Sequence, residues 1–217
     1  MDITQNINEI RRRIAAAASR AGRSANEITL IAVTKTAGVP DIQKAIAAGV
    51  GHCGESRIQD AERKIAQLSD AGLRPTWHMI GHLQRNKAKT ALEIFDIIHS
   101  IDSLRLAQTV SAEAKKNISI LIQVNIAEEE TKQGFSLDEA AGAVAEISKL
   151  PNLSIKGLMT IAPMAYDAED VRPVFRELRK LRDSLGLEHL SMGMSDDFEI
   201  AIEEGATMVR VGRAIFG

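Results

Sequence analysis

Apolar residues recur along this chain in two alternating rhythms. Ile3, Ile7, Ile10 and Ile14 fall at the spacing of one helical face, and Gly22 stands where a helix C-terminus takes a glycine, so Ile3–Ala21 is predicted to be a helix. Beyond it, short apolar or β-branched runs predict strands at Ile28–Lys35, His52–Glu55, Thr76–Gly81, Ile97–Asp102, Ile118–Ile126, Ser154–Ile161, Leu190–Met194 and Met208–Gly212. Amphipathic stretches between them predict helices at Val39–Ala48, Ile58–Leu68, Gln84–Leu92, Ser103–Lys115, Leu137–Leu150, Ala168–Leu185 and Ser195–Glu204.

A helix therefore separates each consecutive pair of strands. Parallel neighbours need such crossovers, so the pattern predicts an α/β protein with a parallel sheet. Eight strand–helix units predict closure into a (β/α)8 TIM barrel, with an open doubly wound sheet as the competing architecture. No Pro/Gly/Ser-rich linker interrupts residues 1–217, so a single domain is expected. The leading helix would cover the open N-terminal end of the barrel or join its outer ring. Its Arg11-Arg12-Arg13 run is expected to be a solvated face.

Composition narrows the class. A 45% hydrophobic fraction argues against disorder, and a formal net charge of −2 removes the electrostatic case for a general nucleic-acid or membrane-surface binder. The longest apolar runs, such as Ile118 to Ile126, are broken by polar residues, so no membrane span is expected. Met1-Asp2-Ile3-Thr4 lacks the basic start and apolar core of a signal peptide. The single cysteine, Cys53, cannot form an intramolecular disulfide, and a cytoplasmic location is expected.

In a parallel barrel the functional groups gather at the C-terminal ends of the strands. Those ends carry Lys35, Glu55-Ser56, His78 to Gly81, Ser100 to Asp102, Asn125, Met159-Thr160, Met192 to Ser195, and Arg210 to Arg213. Lys35 closes the apolar run Leu30-Ile31-Ala32-Val33-Thr34. A lysine desolvated there would be partly neutral and able to attack an aldehyde or ketone; equally, it could snorkel to solvent. Ser195 stands as an N-cap before a predicted helix, and Gly212 opens a tight turn, so the two segments read as a phosphate pocket with charge from Arg210 and Arg213. Plain caps and plain turns would look the same. Asp196 and Asp197 should point away from such an anion. His78 and His82 lack the helical spacing and middle glutamate of a zinc motif, and Cys53 has no second thiol, so no metal is expected. The basic stretch Gln84 to Lys89 has no interleaved aromatics and does not read as a nucleic-acid platform.

These segments together resemble the pyridoxal phosphate homeostasis family, single-domain barrels similar to the N-terminal domain of alanine racemase. The matching pieces are Ile31-Ala32-Val33-Thr34-Lys35-Thr36, Cys53-Gly54-Glu55-Ser56-Arg57-Ile58-Gln59-Asp60, Trp77-His78-Met79-Ile80-Gly81-His82-Leu83-Gln84-Arg85-Asn86-Lys87, Ser100-Ile101-Asp102-Ser103, Gln123-Val124-Asn125-Ile126, and Lys132-Gln133-Gly134-Phe135. Further pieces are Gly157-Leu158-Met159-Thr160, Ser191-Met192-Gly193-Met194-Ser195-Asp196-Asp197-Phe198, and Val209-Arg210-Val211-Gly212-Arg213-Ala214-Ile215-Phe216-Gly217. They run in order over essentially the whole chain.

The resemblance implies pyridoxal 5′-phosphate (PLP) as cofactor. Lys35 then matches the lysine that forms the internal aldimine. Ser195 and the backbone of Gly212 and Arg213 match the phosphate cup, and Arg210 matches the arginine beside the pyridine nitrogen. Met194 and Asn125 would line the pocket. Ser56 departs from the asparagine the family usually carries after Gly-Glu, which puts a cofactor contact from that position in doubt.

An arginine beside the pyridine nitrogen disfavours its protonation and weakens the ring as an electron sink. Racemisation also needs a second acid/base group, which two-domain alanine racemases draw from a further domain and a partner subunit. The expectation is therefore a monomeric, non-enzymatic PLP carrier serving PLP-dependent apoenzymes. The rivals are a slow amino-acid racemase using His78 as second base, with Tyr166 an unlikely substitute, and a cofactor-free phosphosugar isomerase or aldolase.

Overall fold

Eight parallel strands close on themselves in sequence order in the computed structural model, which describes residues 2–127, 129 and 132–217. They are β1 (Thr29–Val33), β2 (His52–Glu55), β3 (Thr76–Met79), β4 (Ile97–Ile101), β5 (Ile118–Gln123), β6 (Leu153–Met159), β7 (His189–Ser191) and β8 (Met208–Val211). The last strand returns to the first, with Arg210 opposite Ile31. This closure excludes the open doubly wound sheet. The helices are α1 (Ile3–Arg20), α2 (Val39–Ala47), α3 (Ile58–Asp70), α4 (Ala88–Ile94), α5 (Leu104–Glu113), α6 (Leu137–Ile147), α7 (Arg172–Ser184), α8 (Phe198–Glu203) and α9 (Arg213–Phe216).

The leading helix is built as its sequence suggests. Asp2 caps it by accepting from the N–H groups of Thr4 and Gln5 at 2.9 and 3.2 Å. At the other end Gly22, with φ 66°, lets Arg23 N–H donate to Ala18 O at 2.8 Å and close the last turn. Ile3, Ile7, Ile10 and Ile14 are all buried. They pack where α2, α8 and α9 meet, so the helix joins the outer ring. The reason is local: α9 has only 4 residues and cannot cover the seam between the last strand and the first. Asn6 Nδ2 ties the two together by donating to Ile215 O at 2.9 Å.

Arg11 and Arg12 are exposed, as expected of a solvated face, and Arg13 is half-buried. Arg12 pairs with Glu9 on the surface, but Arg11 donates to the carbonyls of Ala48 and Gly49 at 2.7 and 2.8 Å, at the C-terminus of α2. Arg13 pairs with Glu199 at 2.7 Å and lies 4.6 Å over the Phe198 ring.

Every strand begins close to its expected start, but several stop early. Thr34-Lys35, Ile80-Gly81, Val124 to Ile126, Thr160-Ile161 and Met192 to Met194 leave the sheet and form the loops of the C-terminal mouth. The predicted helix Gln84–Leu92 begins instead with a 3-10 turn, Arg85–Lys87, and α7 likewise follows one at Ala168–Val171. Burial divides into two clusters. The larger lies between strands and helices and includes Ile7, Ile42, Leu68, Phe175 and Phe198. The smaller joins Ile31, Leu121, Met159 and Met208, the opposite strand faces, inside the barrel. Among the described residues no helix is long and apolar enough to cross a membrane.

Candidate functional site

The C-terminal mouth carries the residues singled out from the strand ends. Lys35 stands two residues past the end of β1 and is exposed. The expectation that it lies within a buried strand is corrected: the ladder ends at Val33, and the turn carries the amine into solvent. Its neighbour Thr34 is fully buried and tightly held. Lys64 Nζ donates to Thr34 O and to Glu55 Oε1, both at 2.6 Å, and Thr34 Oγ1 donates to the same carboxylate oxygen at 2.7 Å. Ser56 N–H donates to Glu55 Oε2 at 3.3 Å. The Gly-Glu-Ser segment thus acts on the backbone that presents Lys35.

Beside β1 in the closed barrel lies β8, and Gly212 follows it. A Cβ there would stand 3.1 Å from Val33 Cβ, so the turn after β8 packs directly against the end of the Lys35 strand. Ser195 does not cap α8, which begins at Phe198. Its hydroxyl instead accepts from Ala214 N–H at 3.3 Å and joins the turn after β7 to the start of α9. Among the described residues the N–H groups of Ser195, Gly212 and Arg213 meet no backbone acceptor.

Both members of the acidic pair are engaged by other groups. Asp197 Oδ1 accepts from Met194 N–H at 2.6 Å, and burial pushes its carboxyl above the usual range. Asp196 pairs with Arg213, both well exposed, so the Arg213 side chain is already engaged. Gly193 makes the turn possible. With φ 91°, a Cβ would lie 2.6 Å from Ala201 Cβ and 2.9 Å from Phe198 Cα. Gly193→Ala is expected to destabilise the protein by about 1–3 kcal/mol, read as a lower urea midpoint. An unchanged midpoint would mean that the turn is not held in this conformation.

Arg210, like Lys64, is a buried cation. Its Nη1 donates to Ser191 Oγ at 2.6 Å and its Nη2 to Thr160 O at 2.8 Å. Burial pulls its guanidinium down to about 10, opposed by Asp197, and it stays charged at neutral pH. Behind Ser191 stand three imidazoles that sequence reasoning did not connect. Ser191 Oγ lies 2.9 Å from His99 Nδ1, His99 Nε2 lies 2.8 Å from His78 Nδ1, and His78 Nε2 lies 3.0 Å from His52 Nδ1.

The remaining expected residues take other places. Asn125 Nδ2 donates to the carbonyls of Glu129 and Lys132 at 3.0 and 3.3 Å, so its amide fastens the loop after β5. It also borders a cavity of about 210 Å³ at the mouth, with Ile80, Lys132 and Ile161. Met194 is 38% exposed at the rim. His78 is fully buried, held down to about 3 by burial and by His52, and offers no accessible base. His82 is exposed and bonds Asp102 at 2.9 Å, so the two histidines do not face a common point. Tyr166 stands in solvent on the loop after β6.

Known proteins share both sequence and architecture with this chain. The alanine racemase N-terminal domain family matches residues 5–217. A relative from Aquifex aeolicus, named pyridoxal phosphate homeostasis protein, is 42% identical over 226 residues, covering 100% of this chain and 98% of its own. A crystal structure of a protein from Bifidobacterium adolescentis superposes with a TM-score of 0.91 at 37% identity, covering 99% of this chain and 94% of that one. PipY of Synechococcus elongatus, solved with PLP bound, superposes with a TM-score of 0.82 at 37% identity, covering 94% of this chain and 100% of that one.

Proposed function

Since the chain belongs to the alanine racemase N-terminal domain family, together with the pyridoxal phosphate homeostasis proteins, we propose that it binds PLP within the cell and passes it to PLP-dependent apoenzymes, as a monomer and without turning over an amino acid. The observation that carries this reading is the placement of Lys35 and the Gly212 turn on neighbouring strand ends, with buried, cationic Arg210 on the same strand as that turn.

The residues present fit the cofactor. The unpartnered N–H groups of Ser195, Gly212 and Arg213 suit a phosphate, and the close approach of Gly212 to Val33 sets that turn beside the lysine. Bound PLP supplies a reactive aldehyde and an electron-accepting pyridine ring. Lys35 would supply the amine that holds the cofactor through its aldehyde. Arg210, which matches the family's arginine near the pyridine nitrogen, would offer a fixed donor to the cofactor and would disfavour a proton on that nitrogen. A racemase needs a second base on the opposite face of the substrate carbon. His78, the candidate for that role, lies sealed in the barrel interior, which supports the carrier reading.

Borohydride reduction followed by peptide mass spectrometry tests it. A PLP adduct is expected on the peptide carrying Lys35, absent from Lys35→Ala. An adduct on another side chain, or equal trapping in Lys35→Ala, would overturn the assignment.

A further inference from the structure

The three hydrogen-bonded imidazoles inside the barrel have a direction. An arginine can only donate, so Ser191 Oγ accepts from Arg210 Nη1. Ser191 keeps one hydrogen of its own, and His99 Nδ1 lies in reach as its acceptor. His99 then carries its proton on Nε2 and donates to His78 Nδ1; His78 likewise donates from Nε2 to His52 Nδ1. The Nε2–H of half-buried His52 is left for water, because His52 borders a cavity of about 450 Å³ at the N-terminal end of the barrel. The opposite polarity would strand the Ser191 hydroxyl hydrogen in the interior without an acceptor.

We infer that Ser191, His99, His78 and His52 are positioning residues for Arg210: a one-way hydrogen-bond chain through the barrel that holds the guanidinium in place at the mouth. Ser191 is fully buried, as are His78 and His99, so no water competes for these bonds. The chain works only with neutral rings, since an imidazolium donates from both nitrogens and would break the sequence of donors. Burial and the nearby Arg210 charge both disfavour protonation of His99. Aligned donors strengthen one another in a low-dielectric interior, so Ser191 becomes a better acceptor for Arg210 than a lone serine. Thr160 O fixes the second guanidinium nitrogen, and the two contacts together set the plane of the group.

The consequence for ligand binding rests on the PLP reading, but the chain itself does not, and the test separates them. Nitrogen-15 spectra of histidine-labelled wild-type protein without PLP, at neutral pH, are expected to show His52, His78 and His99 as Nε2–H tautomers. A proton on Nδ1 of His78 or His99 would overturn the inference while leaving PLP trapping at Lys35 untouched. Conversely, wild-type protein that traps no PLP would sink the functional reading and leave the tautomer pattern standing. With PLP, Ser191→Ala is expected to weaken retention roughly 10- to 100-fold and to move the visible band of the bound cofactor. The adduct should still map to Lys35, and Ser191→Thr, which keeps the hydroxyl, should return both readouts toward wild type. Retention within about twofold of wild type and an unmoved band in Ser191→Ala would overturn the positioning role.

Discussion

Lys64→Met is expected to destabilise the protein by about 3–5 kcal/mol, a large effect for a helical lysine with no place in the mouth. Lys64 lies on the buried face of α3 with Ile58, Ala61 and Leu68, and its side chain is only 5% exposed. Its partner Glu55 is completely buried. Methionine would fill most of the space, so the cost is electrostatic: the Glu55 carboxylate would stay in the interior with only Thr34 Oγ1 and Ser56 N–H to satisfy it. Thr34 O would also lose one of its two donors, keeping Ala37 N–H at 2.9 Å. Neutralising both partners removes the stranded charge, so Glu55→Gln/Lys64→Met should be less destabilised than Lys64→Met alone. Urea titration of wild type and both variants measures this. A Lys64→Met protein within about 1 kcal/mol of wild type would show that the pair is solvated, and with it the clamp on the Lys35 turn would be lost.

Lys64 was not singled out from the sequence, although a signal for it was present. A lysine in phase with Ile58, Ala61 and Leu68 breaks an otherwise apolar helical stripe, which marks it as paired. Its partner Glu55 lies only nine residues upstream, at the end of β2; what spacing could not give is that Thr34, from the neighbouring strand end, completes the clamp. The barrel itself was legible for a different reason: the hydrophobic period changes cleanly between strand and helix, and closure follows from the count of units. Strand ends were misjudged at the mouth because Ile80, Val124 and Ile161 are apolar without being in the sheet. Val124, for one, pairs only through a single bridge with Phe135. The short α9 carries too few residues for a period to show, which is why α1 could not be assigned its place in the ring.

The mouth and the interior differ in the same way. Lys35, Arg210 and Gly212 were singled out as candidates because strand ends are where a barrel keeps its chemistry, and that rule needs only element boundaries. The imidazole chain needs three-dimensional register. Its links join residues 26, 21 and 92 positions apart, and no motif spans them. A signal existed all the same: His78 and His99 each sit third in a strand whose other residues are largely apolar, an expensive location for an imidazole that lacks a partner. Ser195 shows the reverse case. Its position before a helix suggested a local cap, whereas its bond is to Ala214, supplied by a different strand–helix unit.

Acid should destabilise this protein already between about pH 6.5 and about pH 5. In the folded state His78 is held down to about 3, by burial first and by His52 second, and His99 lies well below the usual imidazole range for the same leading cause. In the unfolded chain both take up protons near about pH 6.5. Below that point the unfolded state binds more protons than the folded one, so stability falls as the pH falls, down to about 3 for His78. The slope is about 1.4 kcal/mol per pH unit for each imidazole, so His78 alone forfeits about 2 kcal/mol between about pH 6.5 and about pH 5, and His99 a similar amount. Asp197, pushed up by burial, acts in the opposite sense, taking its proton earlier in the folded state. Glu203 and Glu204, held below their ordinary range and ion-paired, weigh in only nearer their unfolded values, below this window. Urea midpoints at about pH 7.5 and about pH 5 should therefore differ by the equivalent of about 4 kcal/mol. A flat profile across that interval would mean that the folded barrel accepts protons on these rings, which a sealed one-way chain does not allow.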